Sequence, residues 1–319
     1  RTSERSSHHI ASPRAGGVAI VFTWAIGMAA LQLTGAFDDF DTNYLVGFVV
    51  STIIISAISL LDDVLEQSVR VKFLTHTIAV FIVLYFGVYI DQLALPVVGL
   101  VSLGVTGYIL SFCWIVGLTN AYNFIDGLDG MAGGIAVIAS LFFMVITYSQ
   151  GSSFVYITSY TILAGTLGFM FLNYPPAKII LGDVGAAFLG FVFATLAIIA
   201  ARYDDSHTSF LVMPLLLFNV IYDTGFTFIR RFIRGEKVTE AHNSHLYQLL
   251  NRSGYTHLEV VLIQYCMVFL QGLGALIMVQ IPGEERVLVF VPFLLLQMVY
   301  SYMVIQRFNR NTIQRKSCS

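Results

Sequence analysis

Four segments of this 319-residue chain concentrate side chains able to do chemistry. Adjacent carboxylates stand at Asp62 and Asp63, with Lys72 downstream. Asn120, Asn123, Asp126 and Asp129 recur at every third position, interleaved with apolar residues and glycine. Asn173, Lys178, Gly182 and Asp183 form a third group, and His242 and His245 make an H-x-x-H pair. At least four carboxylates beside amides, glycines and cations suit Mg²⁺ held together with substrate phosphates. Mg²⁺ takes oxygen ligands, usually one or two protein carboxylates completed by phosphate and water. Mn²⁺ is the alternative ion. Phosphoryl transfer asks chiefly for positioning and charge neutralisation. Glycines 127, 130, 182 and 185 let backbone N–H groups approach phosphate, above all at helix starts. Lys72, Lys178 and the histidines are cationic candidates for a diphosphate.

Each signal also has a plainer reading. A carboxylate pair at a helix end is often a solvated turn, and a lone H-x-x-H pair is a weak metal signal. Asp223, seven residues before Arg230, reads as a structural group paired within the bundle or with that arginine. The basic run Arg230, Arg231, Arg234 and Lys237 reads as an anchor for lipid headgroups. The Asn-Asp-Asp segment is the most specific, because ionisable groups near a membrane core are usually functional.

The elements that carry these groups must cross a bilayer. The chain is 57% hydrophobic and only 11% charged, against about 25% charged in soluble domains. Long charge-free runs match the roughly 17–25 residues that a spanning helix takes. They place ten spans at 16–36, 43–61, 73–90, 104–120, 130–148, 154–173, 185–201, 209–229, 259–281 and 286–305. With the N-terminus inside, every Lys and Arg except Arg202 and Arg286 falls on the cytoplasmic side, as the positive-inside bias requires. All four polar segments then share that face. The expected fold is all-α: a polytopic transmembrane helix bundle of about ten spans, a single catalytic domain over 1–319 with its cleft on the cytoplasmic face. Residues 92–103 are too short to span and read as a re-entrant or interfacial segment. Cys113, Cys266 and Cys318 show no ligand or disulfide spacing. The net charge of −2 is uninformative, and no nucleic-acid partner is expected.

These motifs together resemble the polyprenyl-phosphate N-acetylhexosamine-1-phosphate transferases. The resemblance runs from Arg5 to about Gly254. It comprises Arg-Ser-Ser-His at 5–8, Pro13-Arg14-Ala-Gly16-Gly17, Asp62-Asp63 with Lys72, N-A-x-N-x-x-D-G-x-D-G at 120–130, N-x-x-P-A-K-x-x-L-G-D at 173–183, and the histidine pair. The family has a further helix before the Arg-Ser-Ser-His segment, so an upstream span is expected beyond residue 1. The resemblance implies attack of undecaprenyl phosphate on the β-phosphate of a UDP-amino sugar, in a bacterial inner membrane, with UMP leaving. It implies Asp183 as principal Mg²⁺ ligand with Asn123 second. Asp62, Asp63, Lys72 and Asp126 make the catalytic set, with the aspartate pair near the lipid phosphate and Lys72 as the lysine that meets phosphate. Asp129 faces uracil, and Asn120, Asn173, Lys178, His242 and His245 complete substrate binding, with Asp126 also at the nucleotide-sugar pocket. A phosphate monoester has its second pKa near about 6, so direct in-line attack needs little help from a base. A homodimer is a candidate assembly.

The muramoyl-pentapeptide branch carries three consecutive histidines where this chain reads Glu240-Ala-His242-Asn-Ser-His245. The expectation is therefore an enzyme that initiates O-antigen or a related surface glycan, with the sugar open. The 236–252 loop is expected to select that sugar. The rival is a cation-coupled transporter, which would place carboxylates at mid-span in symmetric repeats. Only Asp223 is so placed, and no repeat is visible.

Overall fold

The computed structural model describes residues 13–33, 42–65, 69–237 and 242–317. The Arg-Ser-Ser-His segment at 5–8 and Glu240 lie outside them. The described residues form a bundle of α-helices: α1 (Gly16–Leu33), α2 (Thr42–Leu65), α3 (Val69–Tyr85), α4 (Val105–Ile125), α5 (Met131–Ser149), α6 (Phe154–Asn173) and α7 (Gly182–Arg202). Then follow α8 (Val212–Leu216), α9 (Phe218–Ile233), α10 (Leu246–Arg252), α11 (His257–Met278) and α12 (Phe290–Ser317). Among the described residues, eight helices are long and apolar enough to cross a membrane. The expected polytopic bundle is thus present, with two spans in altered form. The third is the short α3, whose apolar part, Val71–Tyr85, covers only about 22 Å at 1.5 Å per residue. The eighth is broken between α8 and α9.

The segment expected to be re-entrant or interfacial is an antiparallel hairpin, β1 (Gln92–Leu95) with β2 (Gly99–Ser102), in the register Gln92↔Ser102. Pairing the two strands satisfies backbone groups that lipid could not.

Helix α7 is the axis. Its residues from Val184 to Ala200 are all buried, as expected of a helix apolar on every face. Between membrane helices, packing replaces the hydrophobic drive, so small residues at contacts matter. Where α1 crosses α7, a Cβ on Gly17 would lie 2.1 Å from the Gly185 nitrogen, so only glycine allows this approach. Buried hydroxyls are satisfied locally: Thr52, Ser56, Thr119, Thr158 and Thr195 each donate to the carbonyl one turn back. Trp114 ties α4 to α7 by donating to the Ala194 carbonyl at 2.9 Å.

Candidate active site

Helix ends bring the four sequence segments to one end of the bundle. The α2 C-terminus supplies Asp62 and Asp63, α3 begins near Lys72, α4 carries Asn123 in its last turn, and α7 starts at Gly182. Lys72 is the hub: its ammonium pairs with Asp62 and, at 2.6 Å, with Asp183 Oδ2. Asp62 is almost fully buried, whereas Lys72 and Asp183 are about one-third exposed and face the opening.

Asp63 leaves α2 in a different direction, because successive helical side chains diverge by about 100°. It accepts hydrogen bonds from the backbone N–H groups of Asp183 at 3.1 Å and Val184 at 3.0 Å, with Arg14 4.0 Å away. One carboxylate thus satisfies two orphan donors at the start of α7. The preceding turn is fixed by Gly182, whose φ of +77° favours glycine and whose added Cβ would meet Asp63 at 2.8 Å. The Pro13–Gly17 motif docks on the same turn: Ile180 donates to Pro13, Gly16 to Ile180 and Gly17 to Leu181. That docking delivers Arg14 to Asp63.

Asp126, just beyond α4, accepts from the Gly182 N–H. Burial, with the Asp183 and Asp63 charges nearby, pushes its carboxyl from 3.8 up to about 7, against the pull of that hydrogen bond and Arg14.

The cleft between these helices is lined by Ser59, Asp62, Lys72, Thr75, His76, Asn123 and Asp183 and holds about 20 Å³, room for one small guest. Asn123 Oδ1 is buried here with no hydrogen-bond partner among the described residues, beside the Asp62 and Asp183 carboxylates. Buried polar atoms are rarely left unmade. An unpartnered amide oxygen next to carboxylates is the hard-oxygen donor set that Mg²⁺ accepts, with phosphate and water completing it. Among the described residues no three His, Cys, Asp or Glu side chains converge as a metal cage. A metal held jointly by protein and substrate needs none.

Other expected site residues take scaffold positions in this structure. Asn173 accepts from Gly130 N–H at 2.9 Å and donates to Ile179 at 2.8 Å, spending both ends of its amide on backbone. Asp129 accepts from Ala177 N–H at 3.0 Å, tying the α4–α5 loop to the loop before α7. Asn120 turns its amide nitrogen back onto Val116. Lys178 is exposed, without an ion pair among the described residues. His242 and His245 lie side by side, ring centroids 5.0 Å apart, and His245 stacks on Phe124 at 5.5 Å. The histidine loop therefore rests against the Asn123–Asp126 segment. Sequence reasoning passed over His76, which is buried in the cleft with Nδ1 unpartnered. Its signal was the spacing from Lys72, one helical turn on the same face of α3.

A second cavity, of about 760 Å³, lies between α3 and α4, lined by Ile78, Phe81, Tyr85, Tyr108, Ile109 and Phe112. It is almost wholly apolar and begins two residues beyond His76, on the helix pair that carries Lys72 and Asn123. It has the character of a lipid-chain site, not of a catalytic one.

Comparison with known proteins agrees with this geometry. Residues 45–201 match glycosyl transferase family 4. A probable undecaprenyl-phosphate N-acetylglucosaminyl 1-phosphate transferase of Bacillus subtilis is 33% identical over 278 residues, covering 86% of this chain and 76% of the relative. A decaprenyl-phosphate N-acetylglucosaminephosphotransferase of Mycobacterium tuberculosis is 29% identical, covering 85% and 73%. A phospho-N-acetylmuramoyl-pentapeptide-transferase of Latilactobacillus sakei is 34% identical over 39% of each chain. The transporter reading is set aside by these matches, and the chain belongs to glycosyl transferase family 4, as a polytopic membrane relative of the polyprenyl-phosphate sugar-1-phosphate transferases.

Proposed function

We propose that this multi-pass transferase moves N-acetylglucosamine 1-phosphate from UDP-N-acetylglucosamine to undecaprenyl phosphate, on the cytoplasmic side of a bacterial inner membrane. The observation that carries the reading is the Lys72 bridge between Asp62 and Asp183, beside the unpartnered Asn123 oxygen at the start of α7. The printed names of the Bacillus and Mycobacterium relatives favour N-acetylglucosamine as the sugar. Initiation of O-antigen or a related surface glycan is the biosynthetic role that suits a polyprenyl-diphosphate sugar.

The acceptor phosphate is mostly a dianion at neutral pH, its second pKa being about 6. Its oxygen attacks the β-phosphorus of the donor. The bond between that phosphorus and the bridging oxygen breaks, and the electron pair leaves with UMP. Lys72, held between two carboxylates, presents an ammonium to the incoming phosphates. The α7 N-terminus adds the positive end of its dipole, its Gly182, Asp183 and Val184 N–H groups being held by Asp126 and Asp63. Burial raises the Asp126 carboxyl to about 7, so it carries less than a full negative charge near neutral pH and repels the diphosphate less. Asp183 and Asn123 are the residues that would hold Mg²⁺, which when bound neutralises the diphosphate charge. The acceptor's isoprenoid chain lies along the apolar α3–α4 cavity, which begins at Ile78, two residues beyond His76 on the helix that carries Lys72.

The test is UMP release by the purified protein given undecaprenyl phosphate, Mg²⁺ and a panel of UDP-amino sugars. Release that needs both lipid and Mg²⁺, fastest with UDP-N-acetylglucosamine, is the expected result. Faster release from a 6-deoxy amino sugar would replace the donor, and no release from any sugar by folded protein would overturn the reading.

A further inference from the structure

Asp223 is a buried carboxylate in α9 that the phosphate chemistry does not use, 7% exposed. Its place in the sequence suits pairing within the bundle or with Arg230. In the structure its partners are the start of another helix. Its carboxylate accepts from the backbone N–H groups of Leu246 at 2.8 Å and Tyr247 at 3.3 Å, and from the Thr227 hydroxyl at 3.1 Å. His245 Nδ1 lies 3.4 Å from Oδ1. Arg230 instead donates to the Ser244 carbonyl. Helix α9 therefore grips the histidine segment at two points, with Asp223 satisfying the first N–H groups of α10.

The gripped turn leads directly to the site. The Tyr247 hydroxyl donates to the Phe124 carbonyl at 2.7 Å, and a Cβ on Gly127 would lie 2.3 Å from that hydroxyl oxygen. The His245 ring stacks on Phe124 from the same side. Asp223, the α10 turn and residues 124–127 thus form one continuous contact, reaching from α9 to the segment that carries Asn123 and Asp126.

We propose that Asp223 is the positioning residue for donor recognition: it fixes His242, His245 and Tyr247 against the Phe124–Gly127 turn, so that the two imidazoles present ring N–H groups to oxygens of the sugar-nucleotide donor. The inference rests on the UDP-sugar transferase reading. Asp223 touches neither donor nor acceptor, so its loss acts on the donor side alone. A carboxylate that merely stabilised the bundle would weaken both substrates together.

The experiment measures UDP-N-acetylglucosamine binding by calorimetry and KM for each substrate, in Asp223→Asn and Tyr247→Phe proteins, with thermal midpoints recorded. Asn at 223 keeps the shape but loses the charge that two N–H groups share. Asp223→Asn is expected to raise the donor Kd and donor KM by about tenfold, the loss of roughly one charge-assisted hydrogen bond. The polyprenyl phosphate KM stays within about twofold. Tyr247→Phe shifts the donor in the same direction by a smaller factor, and alone decides the matter if Asp223→Asn does not fold. Donor affinity unchanged in the folded variants, or both KM values rising alongside a lowered thermal midpoint, would overturn the proposal. Wild-type protein that binds the sugar nucleotide without turning over would count against the transferase reading instead, and the binding comparison would still decide the role of Asp223.

Discussion

The Asp63 carboxylate accepts hydrogen bonds from the backbone N–H groups of Asp183 and Val184, so one aspartate of the adjacent pair holds the helix turn that presents another aspartate to the cleft. Asp62, its neighbour in sequence, points instead to Lys72. The pair therefore divides its work, one member at the ion-paired centre and one beneath it. Replacing Asp63 with Ala removes a helix cap of about 1 kcal/mol and lets Asp183 drift. Asp63→Asn keeps an acceptor for one of the two N–H groups. We expect Asp63→Ala to lose turnover and thermal stability together, and Asp63→Asn to retain part of both. If Asp63 were a base, the Asn variant would be as inactive as Ala at unchanged stability; turnover and melting of the two variants decide.

Asp126 sets a pH dependence. Its folded pKa of about 7 stands above its ordinary 3.8, so the folded protein binds a proton that the unfolded chain has released. The stability this contributes is fully present below pH 3.8 and is lost as pH rises through about 7. The metal-free protein should melt at a lower temperature at pH 8 than at pH 6. Asp126→Asn, which cannot ionise, should flatten that difference; a slope identical to wild type would contradict the assignment.

Asn123 offers a buried oxygen with nothing to bind. The proposed metal assignment makes Asn123 one determinant of the Mg²⁺ concentration that half-maximal turnover requires. Asn123→Leu should raise that concentration at least about tenfold, whereas Asn123→Asp, which keeps an oxygen in place, should raise it less. Paramagnetic titration with Mn²⁺ gives the same comparison without turnover. Equal affinity in Asn123→Leu and wild type would remove Asn123 from the metal site.

Much of the architecture was legible because charge-free runs and the Lys/Arg bias are both one-dimensional signals. The break between α8 and α9 was not. It falls at Leu217, without Gly or Pro at that position, and is closed from α11: with its amide oriented to satisfy both neighbours, Gln271 donates to Leu216 at 3.3 Å and accepts from Asn219 N–H at 3.2 Å. No local pattern announces a partner more than 50 residues away. The segment 92–103 was legible as non-spanning, while the pairing of its two strands was not. In the site, residue types pointed to a phosphate centre, and Lys72, Asp62, Asp183 and Asn123 do meet around one cleft. What spacing could not reveal was direction. Asn173 and Asp129 turn to backbone, and Asp63 turns beneath α7. His76, one turn from Lys72, was readable from periodicity alone.

The most direct test of the central claim is the fate of the donor's β-phosphate. UDP-N-acetylglucosamine carrying ³²P at the β position is incubated with the purified protein, undecaprenyl phosphate and Mg²⁺, and the lipid and aqueous phases are separated. Sugar-1-phosphate transfer predicts label in the lipid phase, matched mole for mole by UMP in water. Label remaining in water as UDP, with sugar alone in the lipid, would contradict it.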